Sequence, residues 1–278
     1  MAMIAPIAAL GVAGLALLRR SDKRDDQAEW ARLAALQPRT PKRFKASMLR
    51  GLPEPARRFF AFAITEGTLL FPVVTLEMTG SFAMGRKDAP HEKPMRARQI
   101  LAAPHGFVWQ METSGALGLS GSDSGRWTRF WMAGLVPVGR FGDNEDHRHP
   151  AFGRYVAESL FWAPAALLPA VAGEAVRWAK VDDATAEVCI THDGLEQRVE
   201  IEVDADGQPR LVRFQRWTDA NPAKHYRYQP FGGYLSDFQS HQGYQLPMHV
   251  EAGNHFETPD YFPFFRADIS RISFPIPG

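Results

Sequence analysis

Residues 152–190, FGRYVAESLFWAPAALLPAVAGEAVRWAKVDDATAEVCI, carry a helix, a proline break and a strand in immediate succession. At about 100° per residue, Phe152, Tyr155, Val156, Ser159 and Leu160 share one arc of the helix. Arg154, Glu158, Phe161 and Trp162 share the opposite arc. A surface helix has one apolar arc and one polar arc. Here the charged arc also holds Phe and Trp, so both sides are expected to touch protein or a cavity. Arg154 and Glu158 are four residues apart and meet on that second side. Pro164 restricts the residue before it and stops the helix near Ala163.

Outward from this helix the apolar period becomes two. Downstream, Val176 to Val181 and Ala184 to Thr191 read as strands, followed by the hairpin dipeptide Asp193-Gly194. Val199, Ile201 and Val203 alternate on the return, and Asp206-Gly207 turns the chain into Leu211 to Trp217. Tyr234 to Phe238 and Tyr244 to Glu251 form another pair, with Pro247 predicting an edge strand. The apolar phase of Phe265 to Phe274 switches between Ile269 and Ile272, as a bulge would produce. Upstream, Val74, Leu76, Met78, Gly80 and Phe82 alternate with polar residues, and Met95 to Leu101, Phe107 to Thr113 and Arg126 to Met132 follow. Gly115 to Gly125 reads as a hairpin or flexible edge. Leu52 to Ile64 reads as a helix with prolines in its first turn. About ten strands in meander order, with one helix inserted and one preceding, predict an α+β fold. The expected form is a strongly curved antiparallel sheet or open β-barrel, lipoprotein-carrier-like or lipocalin-like, with helices covering or plugging the concave face.

Met1 to Leu18 is uncharged and mostly apolar, and Arg19, Arg20, Lys23 and Arg24 follow. Eighteen helical residues reach about 27 Å, close to the hydrocarbon thickness of a bilayer. The expectation is a transmembrane or signal-anchor helix at 1–20, a basic juxtamembrane linker at 21–50 and a single β-rich domain at 51–278. The cationic flank places the body of this single-pass protein in the cytoplasm, with the cell-envelope side as the alternative. The net charge of +1 over 278 residues implies no nucleic-acid partner. One cysteine, Cys189, excludes an internal disulfide.

Several segments resemble a known family. They are LPEPARRFFAFA from Leu52, RQILAAPHGFVWQ from Arg98, RYVAESLFWAPAALLP from Arg154, VRWAKVDDATAEV from Val176, and the late Gly243-Tyr244-x-x-Pro247. They are similar to an uncharacterised bacterial domain-of-unknown-function family over about Leu52 to Phe274. The most specific part is Arg154-Tyr155-x-x-Glu158 with Trp162-x-Pro164 and Trp178. The resemblance implies the domain limits and an N-terminal hydrophobic segment, and no reaction.

No phosphate-loop, dinucleotide, zinc-protease or serine-hydrolase signature is present, so no cofactor is expected. Asp143, Asp146, His147 and His149 lie together in GDNEDHRHP and are weak metal candidates, because their spacing fits no regular ligand motif. Arg98, on a strand before Trp109, could pair with Glu158 or receive an anionic head group if it points inward. The leading expectation is a membrane-tethered binding protein for a hydrophobic or amphipathic small molecule, such as a lipid. Arg154, Glu158 and Arg98 are its candidate polar contacts, and Trp109 and Trp162 its apolar lining. One alternative is an enzyme using Glu158 as general acid or base. The other is an interaction or scaffold protein using an exposed sheet edge.

Overall fold

In a computed structural model of the chain, which describes residues 4–115 and 117–276, the sheet is built in two runs. The chain opens with helix α1 (Ile4–Ala34) and helix α2 (Glu54–Ala63). The first run is β1 (Val74–Arg86), β2 (Ala89–Ala102), β3 (Gly106–Thr113), β4 (Leu119–Ser124), β5 (Trp127–Met132) and β6 (Val136–Gly142). Helix α3 (Glu145–Trp162) then crosses to the second run. That run is β7 (Val176–Lys180), β8 (Thr185–His192), β9 (Leu195–Val203), β10 (Pro209–Thr218), β11 (Arg227–His241), β12 (Tyr244–Asn254) and β13 (Phe262–Ser273).

Each run is a meander, and the two are zipped together by β1 against β13. The order is β6-β5-β4-β3-β2-β1-β13-β12-β11-β10-β9-β8-β7, all antiparallel, in a single 13-stranded sheet. Helix α3 starts beside the edge strand β6 and crosses to the second wing, where Trp162 reaches β12. It packs on β2, β3 and β6 of one wing and on β9, β10 and β12 of the other. One helix can touch both wings only if the sheet curls around it, and the result is an open half-barrel. Tight approach makes this possible: a Cβ at Gly153 would come within 2.8 Å of Gln197 Oε1 and 2.9 Å of a Phe214 ring carbon. Helix α2 joins the same core, where Phe60 meets Trp178 edge-on at 5.3 Å.

The local signals explain most elements. Asp193 and Gly194 both adopt positive φ, 48° and 78°, as a tight two-residue hairpin turn requires. The phase switch in β13 is a bulge: Glu77 faces Arg271 and Met78 faces Ile269, which leaves Ser270 as the extra residue. The strands β4 and β6 exceed the sequence expectation. The Gly/Ser composition of β4 hides a strand in which a Cβ at Gly121 would sit 2.1 Å from Arg129 O. Helix α3 begins seven residues before Phe152, because Asn144 caps it by accepting from the His147 N–H at 2.9 Å. Pro150 lies in the second turn, where its ring removes the N–H that would have bonded Asp146 O.

Two expectations are corrected. Pro247 does not mark a sheet edge, since β12 lies between β11 and β13. The β12–β13 pairing register begins only at His249, so the missing N–H of Pro247 lies outside it. The N-terminal segment is the larger correction. Among the described residues no helix is long and apolar enough to cross a membrane. The first three residues of the expected span lie outside the described residues, and the apolar run ends at Leu18. From there α1 continues unbroken into its charged half, which lies on the convex face of the sheet. The expectation of a membrane helix at 1–20 is therefore overturned. With it falls a single-pass tether carrying a cytoplasmic or envelope-side body.

Residues 21–34 belong to this docked helix instead of a linker. Asp22, Asp26 and Glu29 are buried. Asp22 accepts from Trp131 Nε1 at 2.9 Å and pairs with Arg140 and Arg129. Asp26 accepts from Ser122 Oγ at 2.7 Å, Gln110 Nε2 at 2.9 Å and Trp127 Nε1 at 3.1 Å. Leu33 packs with Val73, Ile100, Ala102 and Val108 in a second, small core. Successive strand residues face opposite ways. Ile100 and Val108 therefore lie beneath α1, while Leu101 and Phe107 lie beneath α3.

Candidate functional site

The concave face between α3 and the curled sheet encloses a cavity of about 670 Å3. Inward alternation supplies its walls: Phe82 from β1, Trp109 from β3, Phe130 from β5, Phe214 from β10, Phe231 from β11 and Phe265 from β13. Trp109 is a hub, with its ring centroid 6.3 Å from Phe82, 6.5 Å from Phe130 and 6.3 Å from Phe265. Met84, Val138 and Phe141 line the cavity and are also exposed to solvent, which gives it an apolar lip.

The second arc of α3 delivers the polar side of this cavity. Arg154 Nε donates to Glu158 Oε1 at 2.8 Å, and Nη1 donates to Asp123 Oδ2 at 2.8 Å. Gln99 Nε2 donates to the other Glu158 oxygen at 2.6 Å. Thr128 Oγ1 donates to Asp123 Oδ1 at 2.6 Å. Every oxygen of the two carboxylates therefore has a donor. The Arg154 guanidinium also lies over the rings of Phe107 at 4.8 Å and Trp109 at 5.0 Å. Burial would lower the Arg154 pKa, but Glu158 and Asp123 outweigh it and raise the value. Burial would raise the Asp123 carboxyl. The His147 ring, Arg154 and Thr128 outweigh that too and hold it below the usual carboxylate range.

The proton of Thr128 Oγ1 goes to Asp123, so His147 Nε2, 3.2 Å from the same hydroxyl, must donate to it. His147 Nδ1 is buried without a partner. Trp109 Nε1 is likewise buried without an acceptor. Trp162 is fully buried against the cavity and donates through Nε1 to Pro247 O at 3.2 Å.

Of the residues singled out from sequence, Arg154, Glu158, Trp162 and Trp109 come together here. Arg98 does not. It lies on the convex face, donates to Gln110 Oε1 at 2.7 Å and sits over the Trp30 ring at 5.1 Å. Both faces of β2 carry apolar residues, Ile100 under α1 and Leu101 under α3, so hydrophobicity alone could not assign the side of Arg98. The four metal candidates diverge. Asp143 precedes the helix cap in a left-handed conformation, φ 58°. Asp146 accepts from Trp217 Nε1 at 2.8 Å, His147 turns to Thr128, and His149 lies 3.6 Å from Glu145. Among the described residues no group of three or more His, Cys, Asp or Glu side chains could hold a metal ion.

Asp123 and Arg216 are cavity residues that escaped the sequence reading. Asp123 was hidden in the Gly/Ser-rich stretch. Arg216 follows Val212 and Phe214 at strand period, and that phase would have placed it inward.

The sequence matches the description of a family of unknown function over residues 42–267. The chain belongs to DUF6544. The match begins before Leu52 and takes in Phe44, which is buried in the main core. The most specific motif of this DUF6544 chain, Arg154-Tyr155-x-x-Glu158, puts its charges on the cavity floor and its tyrosine in the core. There Tyr155 Oη donates to Pro104 O at 3.1 Å. No curated protein matches the sequence. Among solved structures, the DUF6544 chain is similar to a LolA superfamily protein from Nitrosomonas europaea. That match has 12% identity and a TM-score of 0.38, and covers 79% of this chain and 91% of the other. It is also similar to a putative outer membrane lipoprotein-sorting protein domain from Vibrio parahaemolyticus, at 10% identity and TM-score 0.37, covering 82% and 91%.

Proposed function

We propose that the concave cavity binds a hydrophobic or amphipathic small molecule, such as a lipid. The observation that carries this reading is an apolar-walled space of about 670 Å3 that reaches solvent past Met84, Val138 and Phe141. Small-molecule sites occupy roughly 300–1,000 Å3 and combine apolar walls with a few placed polar groups. Trp109 and Trp162 form the lining in this reading, and Arg154 and Glu158 hold the polar floor. Glu158 as a general acid or base is disfavoured by its surroundings. Both its oxygens already accept, from Arg154 and Gln99, so a substrate proton would have to displace one of them. The use of a sheet edge at Pro247 is disfavoured because that strand is interior.

The test uses the full chain and a neutral environment-sensitive dye, N-phenyl-1-naphthylamine, displaced by a mixed lipid extract, with native mass spectrometry for stoichiometry. One lipid-sized molecule per chain is expected. Ala252→Trp, which projects into the cavity, should abolish dye uptake while the circular dichroism spectrum is unchanged. A dye that stays dark with the wild-type chain, or one that still binds Ala252→Trp undiminished, overturns the proposal.

A further inference from the structure

Arg216 differs from Arg154, the other arginine in the cavity. Arg154 has three nitrogens in hydrogen-bonding contact with Glu158, Asp123 and Gln99. Among the described residues the half-buried Arg216 side chain has no hydrogen-bond or ion-pair partner. Its Nε is buried without a partner, and its guanidinium rests on the Phe231 ring at 4.8 Å. Asp123 and Glu158 attract it from a distance, but their oxygens are engaged elsewhere. Asp219, another carboxylate on the lining, forms no ion pair with it. A cation in apolar surroundings without a counter-charge is unfavourable and is normally paired. Burial first, then repulsion from Arg154, lowers its pKa to about 10, which still leaves it charged at neutral pH. Trp109 Nε1, a second unpartnered donor, lines the same cavity.

A guanidinium presents a planar fork of N–H donors that matches the two oxygens of a carboxylate or phosphate. A neutral hydroxyl or ester head would use one donor and leave the charge unbalanced. We infer that Arg216 is the head-group contact of this cavity and selects amphiphiles whose polar end is an oxyanion, either a carboxylate or a phosphate monoester. The inference rests on the proposed lipid-binding reading and sharpens it. The alkyl chain would lie among the aromatic walls, and the oxyanion would take the place that no side chain fills.

The experiment compares three probes of one chain length at pH 8: dodecanoate, dodecyl phosphate and dodecanol. Each displaces the neutral dye from wild type, Arg216→Gln and Arg216→Lys. Wild type should bind at least one of the two anions about tenfold or more tightly than dodecanol. The stronger anion identifies the head group. Arg216→Gln should reduce the preference to within about twofold, chiefly by weakening the anions. Arg216→Lys, which keeps the charge but loses the fork, should restore part of it. Equal binding of all three probes by wild type, or a preference that survives in Arg216→Gln, overturns the inference and leaves the cavity reading standing. If none of the three binds wild type, both fall. Should Arg216→Gln fail to fold, the wild-type ranking and the lysine variant decide.

Discussion

The two faces of the sheet solve the same problem in different ways. Each is covered by a helix that brings buried charge onto strands. On the convex side, α1 sets Asp22 and Asp26 against tryptophan, glutamine, serine and arginine donors, and both carboxylates are fully engaged. The cleft beside α1 is lined largely by charged and polar residues, among them Arg19, Glu77 and Arg96. On the concave side, α3 holds Arg154, Asp123 and Glu158 in a closed cluster, yet Arg216 Nε, Trp109 Nε1 and His147 Nδ1 beside it have no partner. Buried polar atoms are usually satisfied. Buried carboxylates that find all their donors, as Asp22 and Asp26 do under α1, read as a clamp. A face with unpartnered polar atoms around an apolar cavity reads as a place prepared for something else. Arg19 Nη1 is the exception on the convex side, buried without a partner where its neighbour Nη2 reaches Ser120.

The comparison can be broken most forcefully at α3. Arg154→Met leaves Asp123 and Glu158 buried without their cation and should destabilise by about 3–5 kcal/mol in urea unfolding. A loss below 1 kcal/mol would mean the cluster contributes little to the fold. Asp26→Ala should cost about 2–3 kcal/mol, because three donors lose one acceptor. It should leave dye uptake in the concave cavity unchanged, and an altered uptake would show that the faces are coupled. Arg216→Met should act in the opposite direction and stabilise by about 1–2 kcal/mol, since it removes a charge that has no counter-ion. A destabilised variant would show that Arg216 is a structural residue. The smallest effect belongs to pH. The folded Asp123 pKa is depressed, so its contribution is complete above the ordinary aspartate value of about 4 and is lost as pH falls through the folded value. The melting-temperature gap between wild type and Asp123→Asn should therefore be constant near neutrality and close in acid. A gap that persists at the lowest pH would contradict that assignment.

Much of the fold is legible in the sequence where local chemistry is strict. Asp193-Gly194 names its turn, and the switch between Ile269 and Ile272 names the bulge at Ser270. The paired Arg154 and Glu158 beside Phe161 and Trp162 announce a helix with two covered sides. Legibility fails where one signal serves two environments. A run of apolar residues before Arg19 matches a bilayer in length, but among the described residues no helix is long and apolar enough to cross one, and it is the charged half after Arg19, through Asp22 and Asp26, that docks on the sheet. Arg98 and Arg216 are both strand arginines. The first faces α1 and the second the cavity, a difference visible only through the residues in phase with them. Asp123 was missed with its strand, because glycine and serine carry no apolar period.

The seam between β1 and β13 has a kinetic consequence. It joins residues such as Thr75 and Ser273, 198 positions apart, while every other strand pairing is with the next strand along the chain. During synthesis the first wing can form long before its last partner exists, and β1 waits as an open edge able to pair with foreign strands. Folding of such long-separation contacts is slow. The nascent first wing is thus the stage most exposed to aggregation, and a chaperone that shields Val74–Arg86 would act where the chain is most vulnerable.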